Sequence, residues 1–373
     1  MKKITLTENL FRRASTGTQP KWHIGNTWYK ADDFNHEGLA ETIVSEILKK
    51  SNLPLLMNQW MPNKEHIAFA TYSTEMIEYS GKQVPGCKSE NFLKDDDQLI
   101  ESIKLLRQND LENMAKTYAE SIKDVDLSIK EFVETMTKLT GLKDFDQYLT
   151  AMFELDKITL NPDRHFGNIA VLRRNGEFLY APVFDNGRAF ALNDKLWDRY
   201  YPAEAVIEHV DALPFCDGFN SQTKKLEELS KNTYFRTSFG KDDLRRVLNA
   251  AAIAYADDIL YRAEQVFDIQ MERNLQYFIG PERSMKNQEL LQYNDRLPND
   301  LKMKEEDGEL YISISPGVKM KIIDEDNKHV IKDGKQLTND ELFELNNEAV
   351  CKLREVYEVF RGSRMEIGKE ESR

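Results

Sequence analysis

Residues 161–187 read Asn-Pro-Asp-Arg-His-Phe-Gly-Asn-Ile-Ala-Val-Leu-Arg-Arg-Asn-Gly-Glu-Phe-Leu-Tyr-Ala-Pro-Val-Phe-Asp-Asn-Gly. Two apolar runs, 169–172 and 178–184, flank Asn175-Gly176, a dipeptide that favours tight turns because both positions tolerate positive φ. The runs are predicted to pair antiparallel. With the turn centred between 175 and 176, Asn168 lies 7.5 residues back and Asp185 lies 9.5 forward, so both fall at the open end of the ribbon. An offset of two residues is roughly 7 Å along a strand. Two oxygen-bearing side chains at that distance can share Mg²⁺ ions and their waters. Asp163, just before the hairpin, is expected to face an acceptor hydroxyl.

Asp163 precedes Asn168 by five residues, the step that separates base and metal-binding Asn in the kinase catalytic loop H-R-D-x-x-x-x-N, although the triplet here is reversed to Asp-Arg-His. Taken singly, these residues read as a loop Asp, a turn Asn and an Asp closing a strand. Their joint spacing about one hairpin favours a site. Asp163 and His165 as ligands of a transition metal find no H-E-x-x-H and no third ligand at helical spacing.

Upstream, 21–24 and 27–30 are predicted strands about a Gly25-Asn26 turn. Leu39, Ile43, Val44, Ile47 and Leu48 mark a helix over 36–50, with Pro54 as a stop. Residues 67–72 alternate like a strand, and 81–92 hold turns and a further strand. From Asp97 the pattern turns helical: Ile100, Ile103, Leu106, Leu111, Met114 and Tyr118 mark one or two helices, 127–139 and 145–155 further ones. An irregular stretch from 188 to 240 and strongly periodic helices over 244–278 follow. Beyond 281, strands at 310–314 and 318–323 around Pro316-Gly317, a possible third at 330–331, and a helix over 340–360 capped by Thr338 or Asn339 make an accessory β-plus-helix appendage. Residues 364–373 are expected to be a disordered tail.

Lys30 ends its strand just before the 36–50 helix. In kinases a strand lysine reaches the ATP phosphates and is held by a helix glutamate. Glu37, Glu41 and Glu46 are the candidates, and Glu41, one turn deeper than Glu37, is the choice. Ser15, Thr16, Gly17 and Thr18 form a turn whose N–H groups and hydroxyls can bind phosphate.

The chain has 373 residues, 40% hydrophobic and 31% charged, and a net charge of −13. That excess argues against a nucleic-acid-coating protein, which needs a clustered basic surface. Cys87, Cys216 and Cys351 are scattered, without a C-x-x-C pair, which predicts reduced thiols in a cytosol. The first residues carry charge but no apolar signal core, and no apolar stretch approaches 18 residues. The expectation is a cytoplasmic protein with neither a signal peptide nor a membrane span; secretion by a signal-independent route stays open.

Ser15-Thr16-Gly17-Thr18-Gln19-Pro20-Lys21, Lys30, Asn161-Pro162-Asp163-Arg164-His165 with Asn168, and Asp185 together resemble the HipA-like serine/threonine kinase family. The shorter, CtkA-like members match best, since Lys30 follows the loop closely and residues 87–92, Cys-Lys-Ser-Glu-Asn-Phe, resemble their hinge. The resemblance covers roughly residues 10–280. It implies an α+β, bilobal protein-kinase-like fold related to phosphoinositide kinases: a small β-rich N-lobe over 1–95, a helical C-lobe over 96–280, then the appendage over 281–363. It further implies ATP and Mg²⁺ as cofactors, Asp163 as catalytic base with Lys30 and His165 beside it, and Asn168 and Asp185 as metal ligands. Ser15 to Gln19, Lys30, Glu41, Ser89 and Asn91 would contact the nucleotide, and the substrate would be a protein. Two departures stand out. Ala14 occupies the position where HipA toxins carry an autophosphorylated serine, with Ser15 and Thr16 alongside, and with the loop this near residue 1 the N-terminal subdomain of longer members is expected to be absent. An antitoxin partner is therefore not assumed. A small-molecule or lipid phosphotransferase, with Asp194, Asp198, Glu204 and Glu208 lining a pocket for a cationic substrate, and an idle nucleotide-binding scaffold are the alternatives.

Overall fold

The turn chemistry at Gly25 and the alternation on either side of it produce the first hairpin. β2 (Lys21–Ile24) pairs antiparallel with β3 (Thr27–Ala31), and Gly25 takes the positive φ that the tight turn needs. β1 (Ile4–Leu6) precedes them. The computed structural model describes residues 4–6, 19–33, 36–79, 81–111, 125–193, 201–215, 218–278, 287, 290–306, 309–323, 328–342 and 344–370. The chain divides into two units, Met1–Asn274 and Leu275–Arg373.

In the first unit, β3 leads into α1 (Glu37–Lys49) and α2 (Leu53–Trp60), then β4 (Tyr72–Tyr79) and β5 (Lys82–Glu90). The sheet order is β1-β4-β5-β3-β2, with β1 parallel to β4 and the other pairs antiparallel. α1 buries Leu39, Ala40, Ile43, Val44, Ile47 and Leu48 almost completely. It approaches the sheet through glycine: a Cβ on Gly38 would stand 2.4 Å from the Gly86 carbonyl carbon, and one on Gly86 would stand 2.1 Å from the Lys30 carbonyl oxygen. Only two hydrogens fit in that space.

β6 (Gln98–Glu101) and α3 (Ser102–Gln108) follow, then α4 (Val125–Thr140), α5 (Phe145–Thr159), β7 (Ala170–Arg174) and β8 (Glu177–Tyr180). The predicted hairpin forms: β7 and β8 pair through Arg174↔Glu177 and Val171↔Tyr180, with Asn175 and Gly176 both at positive φ. The remainder of the helical part is α6 (Ala203–Ile207), α7 (Phe219–Ser230), α8 (Lys241–Ala251) and α9 (Asp257–Arg273). The class is α+β, a β-rich beginning followed by a helical part, as the sequence leads one to expect.

Several local expectations need correction. Ile100 lies in strand β6, which pairs antiparallel with β7 in the three-stranded sheet β6-β7-β8 and so satisfies its backbone groups through a distant partner that no local period reveals. Met114 and Tyr118 lie outside the described residues. The strand placed at 67–72 runs instead over β4; 67–71 is a connection that touches the segment after β8 through Phe69 and Val183. Pro54 starts α2 rather than only ending α1, since proline is compatible with the first turn, where its missing N–H is not needed. The strand predicted over 178–184 leaves its partner after Tyr180: Pro182 offers no N–H, and Val183 exchanges hydrogen bonds with Ala68 and Ala70. The stretch 188–240 is not irregular throughout, for α7 buries Phe219, Gln222, Thr223 and Leu226 in an otherwise polar sequence.

The second unit is one antiparallel sheet, β13-β12-β11-β10-β9, made of β9 (Lys304–Glu306), β10 (Glu309–Ser315), β11 (Val318–Ile322), β12 (Lys328–Lys332) and β13 (Lys335–Gln336). Strict alternation in β10 and β11 gives it one apolar face: Leu310, Ile312, Ile314, Val318, Met320 and Ile322 gather with Leu353, Val356 and Phe360. α10 (Asn339–Leu342) starts with a reciprocal cap between Thr338 and Glu341. α11 (Asn347–Glu370) continues through residues 364–370, where a disordered tail was expected; Met365, Glu366, Lys369 and Glu370 are good helix formers. Among the described residues, no helix is long and apolar enough to cross a membrane.

Candidate active site

Five elements converge on one point. β3 carries Lys30, whose Nζ lies 2.7 Å from Glu41 Oε1 on α1 and 3.0 Å from Asp185 Oδ1 beyond β8. Of the three helix glutamates, Glu41 is therefore the partner. Glu37 accepts the Asp33 N–H, and Glu46 pairs with Lys49. Glu41 also accepts the Asn186 N–H at 3.0 Å, which ties α1 directly to the 185–187 turn. Burial opposes the charge of Lys30, but Asp185 and Glu41 outweigh it and hold the ammonium pKa well above the usual value. Lys30 in turn is the foremost reason that Asp185 is held down at about 2. Each group thus favours the charged form of the other. Lys21, opposite Lys30 in the β2–β3 register, adds a second cation to the same neighbourhood; burial first and Lys30 second lower its pKa.

The other half is built by α5 and the loop after it. α5 ends with Leu160 in the left-handed conformation, turning the chain into 161–168. Arg164, fully buried, spends all its N–H groups there. Nε and Nη2 grip Asp156 at 2.8 and 2.9 Å, Nη1 donates to the carbonyls of Phe184 (2.9 Å) and Asn168 (3.3 Å), and Nη2 also reaches Asn186 Oδ1 at 2.5 Å. One guanidinium thus holds both flanks of the open hairpin, Asn168 on one side and 184–186 on the other. A planar fork with donors in fixed directions does what a lysine could not. Asn161 completes the ring by donating to Asp156.

Asn168 donates from Nδ2 to the Asp163 carbonyl at 2.8 Å, which leaves its Oδ1 without a hydrogen bond among the described residues. The Asp163 carboxylate lies 3.5 Å from Arg188 Nε, and burial raises its pKa against the lowering pull of His165 and Arg188. Asp185 Oδ2 is similarly uncommitted. Among the described residues no group of three or more His, Cys, Asp or Glu converges as a metal cage. Two free oxygens, one amide and one carboxylate, instead suit a hard cation that keeps waters and takes its other ligands from phosphate.

With this geometry in view, the likenesses to known proteins are these. No family model matches the chain, and no curated protein matches it. Among solved structures, the chain is similar to the Helicobacter pylori proinflammatory kinase CtkA, with 15% identity and a TM-score of 0.43, over 73% of this chain and 95% of that one. It is also similar to a chain of the Shewanella oneidensis MR-1 toxin–antitoxin complex of HipA, HipB and operator DNA, with 11% identity and a TM-score of 0.37, over 72% and 67% of the two chains.

The remaining predicted residues divide. Ser15, Thr16, Gly17 and Thr18 lie outside the described residues, as do Ala14, Asp194 and Asp198. Gln19 is described, and its Nε2 is buried without a partner among the described residues. His165 is exposed; its Nδ1 accepts the Gly167 N–H at 2.9 Å. Ser89 sits inside β5 between Trp28 and Tyr72. The Asn91 side chain is committed locally, to Trp28 and to the backbone of Leu93. Next to it, Phe92 packs on Phe184 at 6.0 Å, in a cluster with Ala70, Tyr72 and Cys87. Glu208, expected in an acidic pocket, pairs with Arg273.

Asp156, Asn186 and Arg188 carry no signal of their own in the sequence, and Asn161 and Arg164 stand in the 161–165 motif without a role that the motif alone assigns. The signal available for Arg164 was its place between Asp163 and His165, but nothing local announces a fully buried arginine.

Proposed function

We propose that this protein is an ATP- and Mg²⁺-dependent phosphotransferase acting on serine or threonine hydroxyls of a protein substrate. The observation that carries the reading is Lys30, clasped at 2.7 Å by Glu41 and at 3.0 Å by Asp185. An ammonium locked in place, with a second lysine beside it, meets the phosphates of a nucleotide at a fixed position. Asn168 Oδ1 and Asp185 Oδ2 are the oxygens that would hold Mg²⁺, and the ion would supply neutralisation of phosphate charge. The Phe92–Phe184 layer offers an apolar surface for the base.

Asp163 orients the acceptor hydroxyl and takes its proton as the oxygen attacks the terminal phosphorus, while the bond from that phosphorus to the bridging oxygen breaks and ADP leaves with the electron pair. A carboxyl whose proton affinity is raised by burial is suited to that role. Arg188 steers the Asp163 carboxylate, and Arg164 holds the loop at its required distance from 184–186.

Incubation with labelled ATP and Mg²⁺, alone and with added protein, tests the reading. Label is expected on protein, and Asp163→Ala and Asp185→Ala should each reduce transfer by three orders of magnitude or more with folding intact. Undiminished transfer by the Asp185 variant would sink the proposal, and label found only on a small molecule would replace the substrate class.

A further inference from the structure

α1 is pinned at Glu41, but its amino end is held by a separate device that the nucleotide reading leaves unused. Asp32, the second residue after Lys30, accepts the Gly38 N–H at 2.7 Å through Oδ1 and the Tyr255 hydroxyl at 2.9 Å through Oδ2. Tyr255 comes from the short segment between α8 and α9, in the helical part of the same unit, and is buried. The joint is close-packed: a Cβ on Gly38 would stand 2.7 Å from the Tyr255 hydroxyl as well as 2.4 Å from Gly86. On its other side the start of α1 lies on the turn after Asp185, where a Cβ on Gly187 would meet Glu37 Cβ at 3.1 Å.

We propose that Asp32 and Tyr255 form a strut that positions the amino end of α1, and through it the Glu41–Lys30 pair, against the helical part of the unit. Both are positioning residues, since neither touches Lys30. Glu41 lies one helical turn beyond Glu37, about 6 Å along the axis, so a tilt at the start of α1 moves Glu41 relative to both Lys30 and the Asn186 N–H. This rests on the reading of Lys30 as the phosphate-binding residue.

The strut is sensitive to protons. The titratable groups facing Asp32 are Glu37 at the start of α1, Cys87 from β5 and Tyr255, whose ring also meets His36 edge-on. Burial first and the Glu37 carboxylate second push Asp32 up to about 7, against the two hydrogen bonds it accepts. A carboxyl that binds its proton more tightly in the closed joint than in an opened, solvated one favours closure at low pH. The proton's contribution to closure is fully present below the ordinary carboxylate range and is lost as pH rises to about 7. Above that, the Asp32 carboxylate stays charged and buried beside Glu37, and opening the joint returns it to water.

The experiment is Mg·ATP binding to the full chain by calorimetry between pH 6 and 8.5, for wild type, Asp32→Asn, Tyr255→Phe, His36→Gln and Lys30→Ala. Titration of the nucleotide itself is common to all proteins and cancels in ratios of affinity. Wild-type affinity, taken relative to Asp32→Asn, is expected to fall three- to tenfold across the range. Asp32→Asn keeps the shape of the side chain without its titration and should lack that fall, while His36→Gln should retain it. Tyr255→Phe should bind more weakly than wild type, most of all at pH 8.5, with unchanged circular dichroism. Superimposable profiles for wild type and Asp32→Asn, or wild-type affinity in Tyr255→Phe at both ends of the range, overturn the strut provided Lys30→Ala abolishes binding. Binding that survives Lys30→Ala removes the parent reading instead.

Discussion

The two units handle charge in opposite ways. The first buries Glu37, Glu41, Glu154, Asp156, Arg164, Arg236 and Arg262, whereas in the second the core is Leu310, Ile312, Ile314, Val318, Met320, Ile322, Leu353, Val356 and Phe360, and the buried polar residue among those described is Asn287. Taking a charge out of water costs several kcal/mol even after relaxation, so a unit that only has to fold is better served by the second solution. The first unit pays that cost where several segments must be held in one arrangement. Asp156 and Arg164 bind the loop to the hairpin mouth, and Glu154 receives the N–H groups of Tyr234 and Phe235 at 3.0 and 2.6 Å, fixing a connection that has no secondary structure of its own. Apolar contact is non-directional and could not place Asn168 and Asp185 by their backbone carbonyls and neighbours; five directed N–H donors can.

That contrast yields graded tests. Asp156→Ala leaves the Arg164 guanidinium buried and half unpaired, and should cost about 3–5 kcal/mol in urea unfolding followed by a probe of the first unit, with loss of phosphate transfer. Ile312→Val trims one methyl from the apolar core of the second unit and should cost about 0.5–1.5 kcal/mol, seen in the transition of that unit and with transfer unchanged. If both substitutions move one common transition, the two units unfold together and the comparison fails. Smallest is Lys319→Ala, which breaks the exposed pair with Glu306 and should shift stability by less than about 0.5 kcal/mol, an effect that vanishes in 1 M salt.

Much of this was open to reading beforehand. The hairpin about Asn175-Gly176 and the first hairpin about Gly25 are local events, decided by which residues tolerate positive φ, and they form with the predicted turns. α1 and α5 declare themselves by an apolar period that needs no partner to be recognised. Where local signals were weak the reading failed. β6 is stabilised by its pairing with β7, 69 residues away at Glu101↔Ala170 and farther at the other pairs, and α7 hides a narrow apolar stripe in a polar sequence. Ser89 and Asn91 illustrate a different limit, for their residue types suit nucleotide binding while the structure spends them on the strand and on a local turn.

By itself the sequence determined the tight turns at Gly25 and at Asn175-Gly176 and the helical period of α1 that offers Glu37, Glu41 and Glu46 as candidates for Lys30, because turn chemistry and spacing along a helix are short-range properties. Only the tertiary structure decided that Lys30 meets Asp185 across 155 residues, that Arg164 turns inward to bind both flanks, and that Tyr255 reaches Asp32. Those contacts depend on where whole elements dock, which is set by the sum of buried surface and satisfied polar groups over the unit rather than by any window of sequence.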